Sequence, residues 1–133
     1  MAADGLITIE SRFGPEETMN RFEAEVRARG MTVFAHIDHA AGAAAVGLPL
    51  RPTELLIFGD AKTGTPLMQS TQMLGIDLPL KALVWQDASG AAWLSYNDPA
   101  FFARRHGLDG TDTTVNAMAA ALEAIASKAT TPP

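Results

Sequence analysis

The sequence predicts an α+β domain in which an antiparallel sheet of about five strands carries two main helices on one face. Three observations lead there. Strand-like segments follow one another late in the chain, at 82–86 and 91–96, joined by Asp87-Ala88-Ser89-Gly90, a hairpin turn signal. Met19, Phe22 and Val26 form one helical stripe near the start, and Val115, Met118, Leu122 and Ile125 form another near the end. The order is therefore strand, helix, four strands, helix, with short helical inserts.

The first strand is read over Leu6–Phe13, with Ile7 and Ile9 sharing a face. Gly14 and Pro15 suit the cap and first turn of a helix over 15–29; Glu16 and Glu17 favour its positive end, and Gly30 stops it. Met31–Ile37 alternates again, with Met31, Val33, Ala35 and Ile37 on one face and Thr32, Phe34 and His36 on the other. Asp38 then suits the N-cap of a short alanine-rich helix that Gly47 ends, and 48–52 reads as a proline-punctuated connector.

In the next strand, Leu55 and Ile57 point one way and Leu56 and Phe58 the other. A glycine-rich turn over 59–65 leads to a helix over 66–74 opened by Thr65-Pro66, and Asp77-Leu78-Pro79-Leu80-Lys81 leads into the following strand. Asp98-Pro99 opens a short helix that stops at Gly107, and Thr111-Asp112 cap the last helix, assigned to 109–127. Residues 128–133 read as a frayed tail, and the whole of 1–133 as a single domain.

Composition narrows the function classes. Ten basic residues against fifteen acidic ones give a net charge of −5, and the basic residues are scattered. That argues against nonspecific binding of nucleic acid or an anionic membrane surface, both of which need concentrated Lys and Arg. With no cysteine, disulfides, thiolate metal sites and cysteine nucleophiles are excluded. The opening MAADGLITIE lacks a basic n-region and an apolar h-region, so no signal peptide is expected, and the expected location is cytoplasmic. No apolar run reaches the roughly 18 residues of a spanning helix, so no membrane role is expected.

Leu55-Leu56-Ile57-Phe58 is apolar at every position, which implies cover on both faces of the sheet. The helices supply one cover. A second subunit, making a homodimer, or a ligand would supply the other.

Four places can hold chemistry. Asp38 and His39 are a possible base and its partner, or simply a helix cap and the residue after it. The loop from Gly59 to Thr65 has the strand-to-helix setting of an anion cradle, but lacks the Lys-Ser/Thr ending of a phosphate loop, and Pro66 removes a donor; a turn capped by Thr65 is the better reading. Met68, Gln69 and Met73 ride the following helix, the methionines as core filler. Asp77 and Lys81 flank Leu78-Pro79-Leu80, where Lys81 is a useful buried amine, an ion-pair partner of Asp77 or Glu54, or a solvated strand end. Tyr96 can bring a hydroxyl to the sheet rim, and Asp38, Lys81 and Tyr96 together form a conceivable acid–base set. The three histidines show no metal spacing, so no metal is expected; His36 can face the sheet surface opposite the core stripe, but a haem or metal role for it is not the expected reading.

The segments FAHIDHAAGAAAVGLPLRPTELLIFGDAKTGTPLMQ, GIDLPLKALVWQD and WLSYNDP together resemble a known family, domain of unknown function 302, over roughly residues 5–108. The resemblance implies a curved antiparallel sheet of the TATA-binding-protein-like group with two main helices, usually as a dimer, without implying DNA binding. It brings no assigned activity and no catalytic positions. The segments carrying it include Asp38, His39, Gly59, Gly64, Thr65, Pro66, Met68, Gln69, Asp77, Pro79, Lys81 and Tyr96, which are expected to line a shared site or interface.

The expected function is a noncatalytic homodimer with a groove for a small apolar or amphipathic ligand, bound through Asp38, His39, Thr65, Met68, Gln69, Asp77, Lys81 and Tyr96. Haem is one ligand to test, and the cofactor is left open. Two alternatives stand beside it: a small acid–base enzyme using His39, Asp38 or Lys81, and a purely structural dimerisation domain.

Overall fold

A computed structural model describes residues 3–108 and 112–133. Strands β1 (Leu6–Glu10), β2 (Thr32–Asp38), β3 (Thr53–Gly59), β4 (Leu80–Gln86) and β5 (Ala92–Asn97) form one antiparallel sheet in the order β1-β5-β4-β3-β2. The last four strands follow one another as neighbours. β1 closes the far edge beside β5, so the helix that joins β1 to β2, α1 (Pro15–Ala28), must cross the whole width of the sheet. Helix α5 (Thr113–Thr130) packs beside α1, and three shorter helices fill the connections: α2 (His39–Ala45), α3 (Ala61–Ser70) and α4 (Pro99–Arg105).

The core lies between the sheet and these two long helices. Met19, Phe22 and Val26 of α1 and Leu122 and Ile125 of α5 are buried with Leu56, Phe58, Ala82, Val84 and Leu94 of the central strands. Phe22 meets Phe58 edge to face, ring centres 5.3 Å apart, the arrangement that aromatic quadrupoles favour. Each large side chain buried here contributes about 1.5–3 kcal/mol. Among the described residues, no buried side-chain nitrogen or oxygen lacks a partner.

The expected order of elements and the single-face placement of the helices are what the structure has. Several boundaries differ, each for a local reason. β1 stops at Glu10 because Ser11 turns inward, where its hydroxyl meets that of Thr18 at 2.7 Å in the first turn of α1. In β2 the register shifts between Val33 and Ala35, a bulge that leaves Phe34 as the extra residue. Val33 pairs with Phe58 on the helix side, but Ala35 and Ile37 pair with Ile57 and Leu55 on the other. The simple alternation expected for this strand is thus broken, because two residues oppose one at a bulge.

The helix expected over 66–74 starts a turn and a half earlier. Asp60 caps it, its carboxylate accepting from the Lys62 N–H at 2.9 Å, and Pro66 sits inside α3 rather than opening it. The helix ends at Ser70, and a separate 3-10 turn runs Gln72–Ile76. Thr65 therefore caps nothing. At the C-terminus, the expected tail is helical to Thr130: Ala126, Ala129 and Thr130 are buried, and the Thr130 carbonyl accepts from the Arg12 N–H at 2.8 Å. The expected start of this helix at 109–111, including the Thr111 cap, lies outside the described residues; Asp112 caps through Thr114 N–H at 2.8 Å and Val115 N–H at 3.1 Å.

The β4–β5 hairpin is organised by Asp87. Its carboxylate accepts from the Ser89 hydroxyl at 2.7 Å, the Trp93 indole N–H at 2.8 Å, and the backbone N–H groups of Ser89 and Ala91. The Ser89 and Trp93 side-chain bonds, helped by the backbone ones, pull its carboxyl from 3.8 down to about 2. Bonds to the charged form favour that form, so the folded pKa lies below the unfolded one. The stabilisation is then fully present above about pH 4 and lost as the pH falls through about 2. Acid titration of urea unfolding is expected to show stability falling across this window, and Asp87→Asn is expected to flatten that part of the curve. An unchanged slope in the variant would remove Asp87 from the account.

Candidate functional site

One end of the sheet is left partly uncovered by α1 and α5, and a groove with a volume of about 410 Å³ opens there. Its floor is Gly59 at the end of β3 and Leu80 at the start of β4. α3 forms one wall through Gly64, Thr65 and Met68, and α5 forms another through Ala117, Met118 and Ala121. Met31 comes from just before β2 and Phe34 from within it, and Leu78 and Pro79 come from the segment before β4, where the Leu78–Pro79 peptide is cis.

Local sequence explains this construction. The bulge in β2 re-aims Phe34 toward the groove, where 56% of it stays exposed. Gly59 sits beneath it: a Cβ there would lie 3.7 Å from the Phe34 ring and 3.6 Å from Pro79. The polar groups are few, namely Asp60, Thr63 and Thr65 at the rim. Asp60 spends one carboxylate oxygen on the Lys62 N–H. A carboxylate thus occupies the position at the helix start where an anion would sit.

The expected site residues separate. Thr65 and Met68 line the groove, as do Gly59, Gly64 and Pro79. Gln69 is exposed on the same helix and does not line it. Asp38 caps α2, accepting from the Ala41 N–H at 2.9 Å, and His39 follows it, exposed, at the other end of β2. Asp77 is held by Arg105 at 3.0 and 3.2 Å and by His106 at 2.6 Å, so it pins the C-terminal end of α4 to the 3-10 turn and is not a partner of Lys81.

Lys81 and Tyr96 lie on opposite faces of the sheet. Lys81 pairs across from Ile57 on the bare face, and its ammonium donates to the Pro79 carbonyl at 3.1 Å. Tyr96 pairs across from Ala82 and is 4% exposed. Burial, then the charges of Glu123 and Asp98, raises its hydroxyl above the usual 10.0. A shared acid–base set of Asp38, Lys81 and Tyr96 is therefore not assembled. Glu54, the other partner considered for Lys81, instead meets His36 at 2.8 Å, and Glu23 approaches the same imidazole at 3.5 Å. No described histidine lines the groove, and the described residues hold no metal-ligating cluster of His, Asp and Glu.

Met31, Phe34, Leu78, Leu80, Ala117, Met118 and Ala121 are lining residues that the sequence does not mark as a site. Met118 was visible only as part of a core stripe, and Phe34 is turned by a bulge that alternation does not reveal.

The bare sheet face is a second surface. Leu55, Ile57 and Leu83 run across its middle, and Trp85 and Trp93 stack beside them at 6.0 Å. The Trp85 N–H donates to the Ser95 hydroxyl at 3.0 Å, and Ser95 meets Thr8 at 2.9 Å.

A helix-backed antiparallel sheet with an apolar groove at one end defines a small α+β domain. The chain belongs to the family described as domain of unknown function DUF302, whose family model matches residues 7–125. A crystal structure of an uncharacterized conserved DUF302 protein from Bacillus stearothermophilus shares the fold, with a TM-score of 0.85 over 96% of this chain and 99% of that one, at 18% identity. Among curated proteins, the chain is similar to fluoride-specific ion channel FluC 1 of Brucella suis biovar 1 and FluC 2 of Brucella melitensis biotype 1, at 50% identity over 115 residues. That stretch is 86% of this chain but 45% and 43% of those proteins, so the chain spans less than half their length. No helix among the described residues is long and apolar enough to cross a membrane.

Proposed function

We propose that this domain is a noncatalytic binding module whose groove takes a small apolar or amphipathic molecule. The observation that carries this reading is the groove itself: about 410 Å³, concave, walled by Met31, Phe34, Met68, Leu78 and Met118, with polar groups confined to its rim. Small-molecule sites have this character, with volumes of about 300–1,000 Å³. Ala117 is an exposed wall residue of α5. Ala117→Phe is therefore expected to fill the groove without displacing the core. Small apolar probes should raise the Tm of the native protein in a thermal-shift screen and leave this variant unmoved; equal shifts in both would sink the proposal.

The bare sheet face supports a homodimer as part of the same proposal. Leu55, Ile57 and Leu83 give it an apolar middle, flanked by the stacked tryptophans, and a surface of that kind is expected to find a partner. Light scattering coupled to size exclusion should show a dimer at micromolar concentration, and Leu83→Glu should shift it to monomer. A native monomer at that concentration would count against the interface.

The names of the curated relatives favour a second reading, that the domain serves as a module joined to a fluoride channel in such proteins. On this reading the domain itself does not take fluoride. A small, strongly hydrated anion gains nothing from apolar walls, and Asp60 at the rim repels it. Titrating the domain into fluoride should leave the fluorine NMR line unbroadened; saturable broadening would assign the anion to the domain.

A further inference from the structure

Resting on the groove reading above, we infer that its occupant is a flat aromatic molecule with an ammonium or N–H group at one edge, the rings held among Phe34, Met31 and Met118 and the polar edge at Asp60. Three features of the groove select this class.

The first is the wall chemistry. Met31, Met68 and Met118 surround a space that Phe34 enters from the β2 bulge. Thioethers and aromatic edges contact a ring more favourably than they contact an alkyl chain. The second is the floor. Gly59 offers only backbone between Phe34 and Pro79, and a Cβ there would already stand in van der Waals contact with both. The glycine thus adds no side chain to the floor, and the ring of a ligand can lie against backbone there.

The third is charge. Asp60 is the only ionisable residue lining the groove among the described residues. One carboxylate oxygen accepts from the Lys62 N–H as the helix cap, and the described residues give the other no partner. A donor at the ligand's edge fits that oxygen; a carboxylate or phosphate there is repelled. The same features argue against a soft metal ion on the methionines. Met68 Sδ lies 3.3 Å from where a Cβ on Gly75 would be, packed against the 3-10 turn.

The test uses three probes on the native protein, read by the methyl NMR signals of Met31, Met68 and Met118. Tryptamine carries the ring and the cation, indole-3-propionate the ring and an anion, and heptylamine the cation on an alkyl chain. Tryptamine should shift these methyls upfield through its ring current and bind about three- to tenfold more tightly than indole-3-propionate, the range of a charge-assisted contact at a partly exposed carboxylate.

Asp60→Asn keeps a capping side chain and should abolish that preference. Phe34→Leu, at an exposed position, should weaken tryptamine more than heptylamine. If heptylamine binds as well as tryptamine, the aromatic class is wrong while the groove reading stands. If the two indoles bind equally, or Asp60→Asn changes nothing, the role of Asp60 is wrong. If no probe perturbs the methyls and apolar probes give no thermal shift, the groove reading falls with it.

Discussion

The contact of α1 with β3 decides which side of this sheet is inside. Phe22 reaches down to Phe58, and Leu56 is buried in the same layer. Because strand side chains alternate between faces, that one placement sends Leu55 and Ile57 to the opposite side and, through the pairing of β3 with β4 and β5, carries Lys81, Leu83 and Trp85 with them. The same alternation puts Tyr96 under the helices and keeps it from Lys81. A chemical set that looks plausible along the chain is taken apart by the parity of the pleat.

The groove arises where this two-layer packing runs out. α1 and α5 cover the middle of the sheet, and the end formed by Gly59 and Leu80 is closed by α3, the Leu78-Pro79 segment, one side of α5, and Met31 and Phe34. Each wall is fixed by something of its own. The Asp60 cap sets where α3 begins, the bulge in β2 sets where Phe34 points, and the Asp77 carboxylate between Arg105 and His106 ties α4 to the turn that precedes Leu78. Each wall of the groove is thus held by contacts outside the groove itself.

Polar side chains elsewhere mostly hold backbone in place. Asp38, Asp60, Asp98 and Asp112 each accept from N–H groups in the first turn of the helix they precede, and Asp87 organises a hairpin. Of the acidic residues that can suggest chemistry in the sequence, Asp38 is occupied by capping and Asp77 by an ion pair. Asp60 differs because its capping bond uses one oxygen at the rim of an apolar space.

Much of the architecture was legible in the sequence because it depends on local signals. Periodicity placed α1, α5 and the strands, Pro15 and Gly30 bounded α1, and Asp38 announced its helix. Of the positions that the matching stretches marked together, Gly59, Gly64, Thr65, Met68 and Pro79 line the groove, whereas Asp38, His39, Pro66, Gln69, Asp77, Lys81 and Tyr96 do not. What tertiary structure alone decided was register and convergence. The Phe34 bulge, the early start of α3 past Pro66 and the burial of Thr130 against Arg12 each depend on partners far away in the chain. Local propensity cannot report such contacts, and so the sequence determined the elements and the side chains available, while packing determined which of them share a site.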